Sequence, residues 1–143
     1  MNKEFLLQLE KLKKLNLPFG QYAIFGSGIL VAKDIRNASD VDIIAKQALF
    51  NKLWEKYSEC IVNKPFRCLI INGIEIVDNR WDNDNNQEST DKMIDNAEII
   101  DGLPYVNLQD TILWKTQQNR GKDLRDIELI NNYLKNKSKP NYE

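Results

Sequence analysis

Apolar residues recur along this chain of 143 residues with two different spacings. Spacings of three and four residues, typical of a helix with one buried face, run through residues 3–15 and 46–58 and through two C-terminal segments. Short runs of consecutive or alternating apolar residues, typical of strands, lie between them. The pattern predicts helices at residues 3–15, 28–33, 46–58, 108–118 and 122–135, and strands at residues 21–25, 40–45, 66–71, 74–77, 99–100 and 103–106.

The order of these elements predicts a protein of the α/β or α+β class, with a mixed β-sheet flanked by helices and two helices at the C-terminus. Asn72-Gly73 separates two apolar runs and predicts a tight hairpin, because both residue types tolerate positive φ. Residues 78–91 are polar and rich in asparagine, so we expect an exposed loop there. Residues 1–143 are expected to form a single domain that ends in a flexible tail at residues 136–143.

The composition excludes several classes of chemistry. The chain has no histidine, which excludes Ser-His-Asp and Cys-His catalysis and zinc sites with histidine ligands. A net charge of −1 does not favour broad, non-specific binding to nucleic acid. No apolar run has the length of a membrane span, and the charged start of the chain does not resemble a signal peptide. Cys60 and Cys68 lack the spacing of metal ligands, so we expect a cytoplasmic protein with two free thiols.

A glycine-serine turn, Gly26-Ser27-Gly28, follows the apolar run at residues 22–25. Gly26 and Gly28 let the backbone approach a ligand closely, and the Ser27 hydroxyl can donate to a phosphate oxygen. The turn also opens a helix whose first N–H groups have no partner within the helix. Such turns also join many strands and helices without a ligand, so this one indicates phosphate binding only in combination with other residues.

Two aspartates, Asp40 and Asp42, stand at alternate positions of the next apolar run. Alternate residues of a strand point to the same face, so both carboxylates can converge beside the turn. Two carboxylates held close together repel each other, and their oxygens are ligands that Mg²⁺ prefers. Glu75 stands between two isoleucines in a later strand. If that strand lies beside the one that carries the aspartates, Glu75 supplies a third carboxylate. Asp78 is the alternative third acid. A sheet with one solvated face would accommodate the same carboxylates without a metal.

The order of these motifs resembles the nucleotidyltransferase superfamily with the DNA-polymerase-β-like catalytic fold. Its members have a strand, a Gly-Ser turn that opens a helix, two acids one residue apart in the next strand, and a third acid in a later strand. This chain has these motifs, in the same order, at Gly26-Ser27, Asp40, Asp42 and Glu75.

Further residues extend the resemblance over most of residues 20–135. Arg36 and Ser39 precede the first acid, as Arg and Ser or Thr often do in small members of the superfamily. Residues 108–127 are similar to the ending of small stand-alone members. The helical domain that usually follows is reduced here to two helices, and the third acid is glutamate rather than the commoner aspartate.

The resemblance implies that the protein transfers a nucleoside monophosphate from an NTP to a hydroxyl acceptor and releases pyrophosphate. It implies that Asp40, Asp42 and Glu75 bind Mg²⁺ or Mn²⁺ and carry the catalysis, with Glu75 as metal ligand or general base. The resemblance leaves three classes of acceptor: a small molecule, a tRNA or a protein. It is also compatible with a homodimer. Small proteins of this fold also occur as antitoxins beside toxins and as degenerate members without catalysis. The residues expected to bind the nucleotide are Gly26, Ser27, Arg36, Ser39 and Lys122.

Basic and aromatic residues outside these motifs offer further contacts. Arg120, Lys122 and Arg125 stand near the start of the last helix, where they can reach a triphosphate or pair with neighbouring acids on a solvated face. Trp114 fits an apolar helix pattern and is predicted to be a core residue. Trp81, in the polar loop, is therefore the better candidate for stacking on a base.

Overall fold

The computed structural model describes residues 1–78 and 87–137. Trp81 and residues 138–143, which are most of the tail predicted at residues 136–143, therefore lie outside the described residues. In the described part the helices are α1 (Lys3–Lys14), α2 (Gly28–Ala32), α3 (Gln47–Lys56), α4 (Gln87–Asp95), α5 (Leu108–Gln118) and α6 (Gly121–Lys137). The strands are β1 (Tyr22–Phe25), β2 (Asp42–Ala45), β3 (Ile61–Val62), β4 (Cys68–Ile71), β5 (Ile74–Val77), β6 (Glu98–Ile100) and β7 (Leu103–Tyr105).

The strands form one mixed sheet in the order β3-β4-β5-β2-β1-β7-β6. β2 runs antiparallel to β1 and parallel to β5, and β1 runs parallel to β7. The predicted hairpin joins β4 to β5, and Asn72 and Gly73 at its turn have φ values of 52° and 84°. Two positive φ values are what a two-residue hairpin loop requires. This topology places β2 directly beside β5, so Asp42 and Glu75 come from neighbouring strands.

One face of the sheet is buried under α1, α2, α3 and α6. Its side chains include Ile24, Ile43 and Ile76, which are fully buried, and they belong to one layer with Phe5 of α1 and Phe50 of α3. Burial of an aliphatic side chain of this size is worth about 1.5–3 kcal/mol relative to leaving it exposed. This larger layer therefore supplies most of the hydrophobic stabilisation of the fold.

The opposite face of the sheet carries a smaller apolar layer, and we call it the site face. Strand residues that define this face are Ala23, Ile44, Cys68 and Val77. Ile94 of α4 packs on them, and Trp114 of α5 packs at the edge of the same layer. Because alternate strand residues share a face, Asp42 and Glu75 point to the site face as well.

The strand predicted to begin at Asp40 begins at Asp42. Its neighbour β1 ends at Phe25, whose register partner is Asp42. Gly26 then turns the chain away with a φ of 72°, so Asp40 has no residue of β1 opposite it. The two aspartates consequently do not alternate along one strand, and Asp40 lies in the connection before β2.

The exposed loop predicted at residues 78–91 is wrong where the structure describes it. Residues 87–91 belong to α4, whose buried side chains are Thr90 and Ile94. Its apolar side chains, Met93 and Ile94, stand near its C-terminal end, and the residues before them are polar, so this stretch has the composition of a loop. Asp78 is fully buried, and its carboxylate accepts a hydrogen bond of 2.7 Å from Arg67.

The last helix extends to Lys137, two residues beyond its predicted end, so the prediction of a flexible tail is wrong for Asn136 and Lys137. Across residues 1–78 and 87–137, none of the helices combines the length and the apolar character that crossing a membrane requires.

Candidate functional site

A cavity of about 590 Å³ opens on the site face, at the end of the sheet where β1 ends and β2 begins. The turn after β1, the acidic residues of β2 and β5, and the facing ends of α5 and α6 form its walls. Candidate site residues from the sequence that line this cavity are Gly26, Ser27, Arg36, Asp40, Asp42, Glu75, Arg120 and Lys122.

Asp42 and Glu75 are register partners across the parallel strands β2 and β5. Neighbouring strands lie about 4.8 Å apart, so the two carboxylates share a small region of the cavity wall. Burial, together with the negative charges of Glu75 and Asp40, raises the pKa of Asp42 to about 6, although Lys64 and Lys122 act in the opposite direction. Negative charge is therefore crowded at Asp42, where a bound cation would be stabilised.

The Gly-Ser turn brings Ser27 next to these acids. Gly26 has a positive φ of 72°, a conformation that favours glycine, and a Cβ at this position would lie 3.8 Å from Asp42 Oδ2. Ser27 precedes α2, but its hydroxyl makes no capping hydrogen bond to that helix. The hydroxyl instead accepts hydrogen bonds from Arg36 Nη2 at 2.7 Å and from Lys115 Nζ at 3.4 Å. The turn is thus tied to two cations at the cavity wall.

Asp126 of α6 holds these two cations in place. Its carboxylate accepts from Arg36 Nε at 2.7 Å and Nη2 at 2.8 Å, and from Lys115 Nζ at 2.9 Å. Such bidentate pairs are both strong and geometrically specific. Burial works to raise the pKa of Asp126, but the hydrogen bonds from Arg36 and Lys115 hold it to about 2. Asp126 therefore stays ionised and fixes the direction of both cations.

Glu75 is held from its other side by residues of the β3–β4 segment and of β4. Its Oε1 accepts from Lys64 Nζ at 3.0 Å and from the Cys68 thiol at 3.5 Å. Burial, and then the charge of Glu75, raises the pKa of Cys68 to about 12, so this thiol remains a neutral donor. The position of the third carboxylate is consequently defined by two neighbouring side chains.

Four of the residues proposed from sequence do not line the cavity: Gly28, Ser39, Asp78 and Arg125. Ser39 donates a hydrogen bond of 2.7 Å to Glu4 of α1. Asp78, the alternative third acid, is enclosed in the smaller layer beside Arg67. The geometry therefore favours Glu75 over Asp78 as the third acid of the site.

Several lining residues were not singled out by the sequence pattern. Lys115 and Asp126 are almost fully buried although they are charged. Lys115 stands seven residues after Leu108 and four after Thr111, on the buried stripe of α5. Lys115 and Asp126 could have been found from the sequence as charged residues at positions where the helix is expected to be buried. Trp114, expected in the core, is partly exposed and lines the cavity.

The residues present suit a hard divalent cation. Asp40, Asp42 and Glu75 offer only carboxylate oxygens, the donors that Mg²⁺ and Mn²⁺ prefer. Within residues 1–78 and 87–137, no three cysteine, aspartate or glutamate side chains are placed so that together they could hold a metal ion. The fit therefore rests on donor chemistry and on the crowding of negative charge at Asp42.

Comparison with known proteins identifies the fold. No protein-family model and no curated protein matches the sequence. Among solved structures, the chain is similar to the crystal structure of a "putative nucleotidyltransferase" from Thermotoga maritima, with a TM-score of 0.57 and 17% identity. The similarity covers 95% of this chain and 96% of that chain. The chain therefore has the nucleotidyltransferase fold, as the order of its motifs predicted.

Proposed function

We propose that this protein is a metal-dependent nucleotidyltransferase, which transfers a nucleoside monophosphate from an NTP to a hydroxyl acceptor. The observation that carries the proposal is the pairing of Asp42 with Glu75 in neighbouring strands, directly beside the Gly26-Ser27 turn. The cavity is lined by both acidic and basic side chains. This suits a metal-bound triphosphate, because the acids complement the positive metal ion and the basic residues complement the negative phosphates.

Asp40, Asp42 and Glu75 would hold Mg²⁺ or Mn²⁺. A cation held there would neutralise negative charge on the triphosphate and on the departing pyrophosphate. The pKa of Asp42, near 6, leaves this carboxylate mostly ionised at neutral pH and available as a ligand.

Basic residues of the same cavity would bind the phosphates. Arg36 and Lys115 are already oriented by Asp126 toward the Ser27 hydroxyl, so little side-chain entropy is lost when they bind an anion. Lys122 and Arg120 line the wall next to them and extend the positive region. This part of the site positions the triphosphate and neutralises its charge, which is most of what phosphoryl-group transfer requires.

Glu75 would act where the acceptor enters. The acceptor oxygen forms a bond to the α-phosphorus as the bond to the β-phosphate oxygen breaks, and pyrophosphate leaves. The acceptor proton passes to Glu75 or to solvent. Lys64 and Cys68 hold Glu75 Oε1, which keeps the carboxylate aimed at the same region as Asp42.

The proposal is tested by calorimetric titration with Mg²⁺ and a non-hydrolysable ATP analogue. Asp42→Asn keeps the shape of the side chain and removes its charge, so we expect at least about tenfold weaker binding. Asp34→Asn is the matched control, because Asp34 is exposed at a positive φ of 58° that asparagine also tolerates.

Unchanged affinity in Asp42→Asn would contradict the proposed metal-nucleotide site. Absence of binding by the wild-type protein would instead favour the antitoxin-type or degenerate alternative, in which the fold serves binding without catalysis.

A further inference from the structure

The cavity has an aromatic wall on the side of β1. Trp114 of α5 lines it, and the indole ring contacts Phe25 edge to face, with ring centroids 5.4 Å apart and an angle of 77°. Phe25 is the register partner of Asp42. Cross-strand partners have Cβ atoms about 5 Å apart, so the indole lies roughly 10 Å from the acidic centre. A nucleotide spans a comparable distance from its α-phosphorus to the far edge of its base.

The same wall of α5 carries a polar group that lacks a partner. Gln118 lies four residues after Trp114, so the two side chains are neighbours on one face of the helix. Gln118 lines the cavity, and its Nε2 is buried without a hydrogen-bond partner among the described residues. A buried amide left unpaired costs free energy, which a ligand that pairs with it would recover.

Cations surround this aromatic wall. Lys115 Nζ and Arg120 Cζ lie 5.6 and 5.7 Å from the centroid of the Trp114 ring. Lys115 also reaches Ser27, so the groups suited to phosphate and those suited to a base belong to one continuous surface.

Phe66 is the other candidate platform, at the opposite end of the acidic centre. It lies on the side of Lys64, whose ammonium is 5.6 Å from the Phe66 ring and 3.0 Å from Glu75. If Glu75 receives the acceptor hydroxyl, the space around Phe66 is needed for the acceptor. The nucleobase is then left with the wall formed by Trp114 and Gln118.

We infer that Trp114 is the stacking platform for the nucleobase of the bound NTP, and that the Gln118 amide reads the edge of that base and selects adenine. A carboxamide donates and accepts at once, which matches the N6 donor and N7 acceptor of adenine, whereas guanine presents two acceptors there. This inference rests on the proposed function, because it assumes that the phosphates occupy the basic part of the cavity.

The test compares three probes, Mg·ATP, Mg·GTP and Mg·tripolyphosphate, by calorimetric titration. In Trp114→Leu we expect both nucleotides to bind about tenfold more weakly while tripolyphosphate, which has no base, binds as in wild type. In Trp114→Phe most of the nucleotide affinity should return, because the aromatic surface is kept. In Gln118→Leu the affinity for ATP should fall about tenfold, to the level of GTP. Leu113→Ala, at an exposed position of the same helix outside the cavity, is the control and should leave ATP affinity unchanged.

Each other outcome overturns the inference. An equal loss for ATP and tripolyphosphate in Trp114→Leu would mean that Trp114 only supports the fold of the site. Unchanged binding of all three probes in that variant would eliminate the stacking platform while leaving the proposed function standing. A wild-type protein that binds neither ATP nor tripolyphosphate would overturn the proposed function together with the inference.

Discussion

Replacement of Asp126 should both lower the stability of the fold and disturb the arrangement of the site. The substitution Asp126→Asn keeps the size of the side chain but removes the charge that holds Arg36 and Lys115. Lys115 is only 2% exposed, so its ammonium would keep Asp123, at 3.7 Å, as its remaining carboxylate neighbour among the described residues. An incompletely compensated buried cation is costly, since its desolvation is no longer offset.

The expected magnitude follows from the pKa of Asp126. A carboxyl with a pKa of about 2 in the folded chain and an ordinary pKa near 4 when unfolded contributes roughly 2.5 kcal/mol of stability at pH 6. Because the folded pKa is the lower one, this contribution is present above pH 4 and disappears as the pH falls through 2. Roughly half of it remains at pH 3.

The assay is urea denaturation of wild type and variant at pH 6 and pH 3. We expect Asp126→Asn to lower the free energy of unfolding by about 3 kcal/mol at pH 6, and by about half as much at pH 3. Asp34→Asn, an exposed position, should change it by less than about 0.5 kcal/mol. A loss below about 1 kcal/mol at pH 6, or a loss that is the same at both pH values, would refute the reasoning.

Two further predictions concern packing and thiol chemistry. Gly28→Ala places a Cβ in overlap with Ile24 Cγ2 in a buried contact, so urea denaturation should show a loss of about 1–3 kcal/mol. Gly121→Ala is the control and should be neutral or slightly stabilising, because its Cβ would meet Arg125 Nη1 at an ordinary 3.6 Å. Equal losses of stability in the two variants would contradict the prediction. Cys68 is buried with a pKa raised to about 12, so a thiol reagent at pH 8 should label Cys60 alone until the chain is unfolded. Rapid labelling of the folded Cys60→Ser variant would contradict the prediction, because it would show that the reagent reaches Cys68.

The central part of the fold was predictable because its signals are local. The helical spacing at residues 3–15 and the Asn72-Gly73 turn each depend on a few adjacent residues, and both predictions agree with the structure. The nucleotidyltransferase fold followed from the order of Gly26-Ser27, Asp42 and Glu75, and the structural similarity agrees with it. Their convergence in space depends on β2 lying beside β5, which the sequence left as a condition.

The parts that were missed depend on contacts between distant segments. α4 begins with polar residues and has Met93 and Ile94 only near its end, so its composition could not be distinguished from that of a loop. The Arg36–Asp126 pair joins residues 90 positions apart, and neither residue type marks the other in the sequence. Trp114 looked like a core residue because an apolar position on a helix has the same pattern whether it faces a core or a cavity.

A crystal structure of the protein with Mn²⁺ and a non-hydrolysable ATP analogue tests the central claim most directly. We expect an anomalous peak for Mn²⁺ about 2.1 Å from a carboxylate oxygen of Asp42, with the triphosphate against Arg36 and Lys115. Crystals that hold the nucleotide elsewhere, or that bind no ion at Asp42 at saturating Mn²⁺, would contradict it.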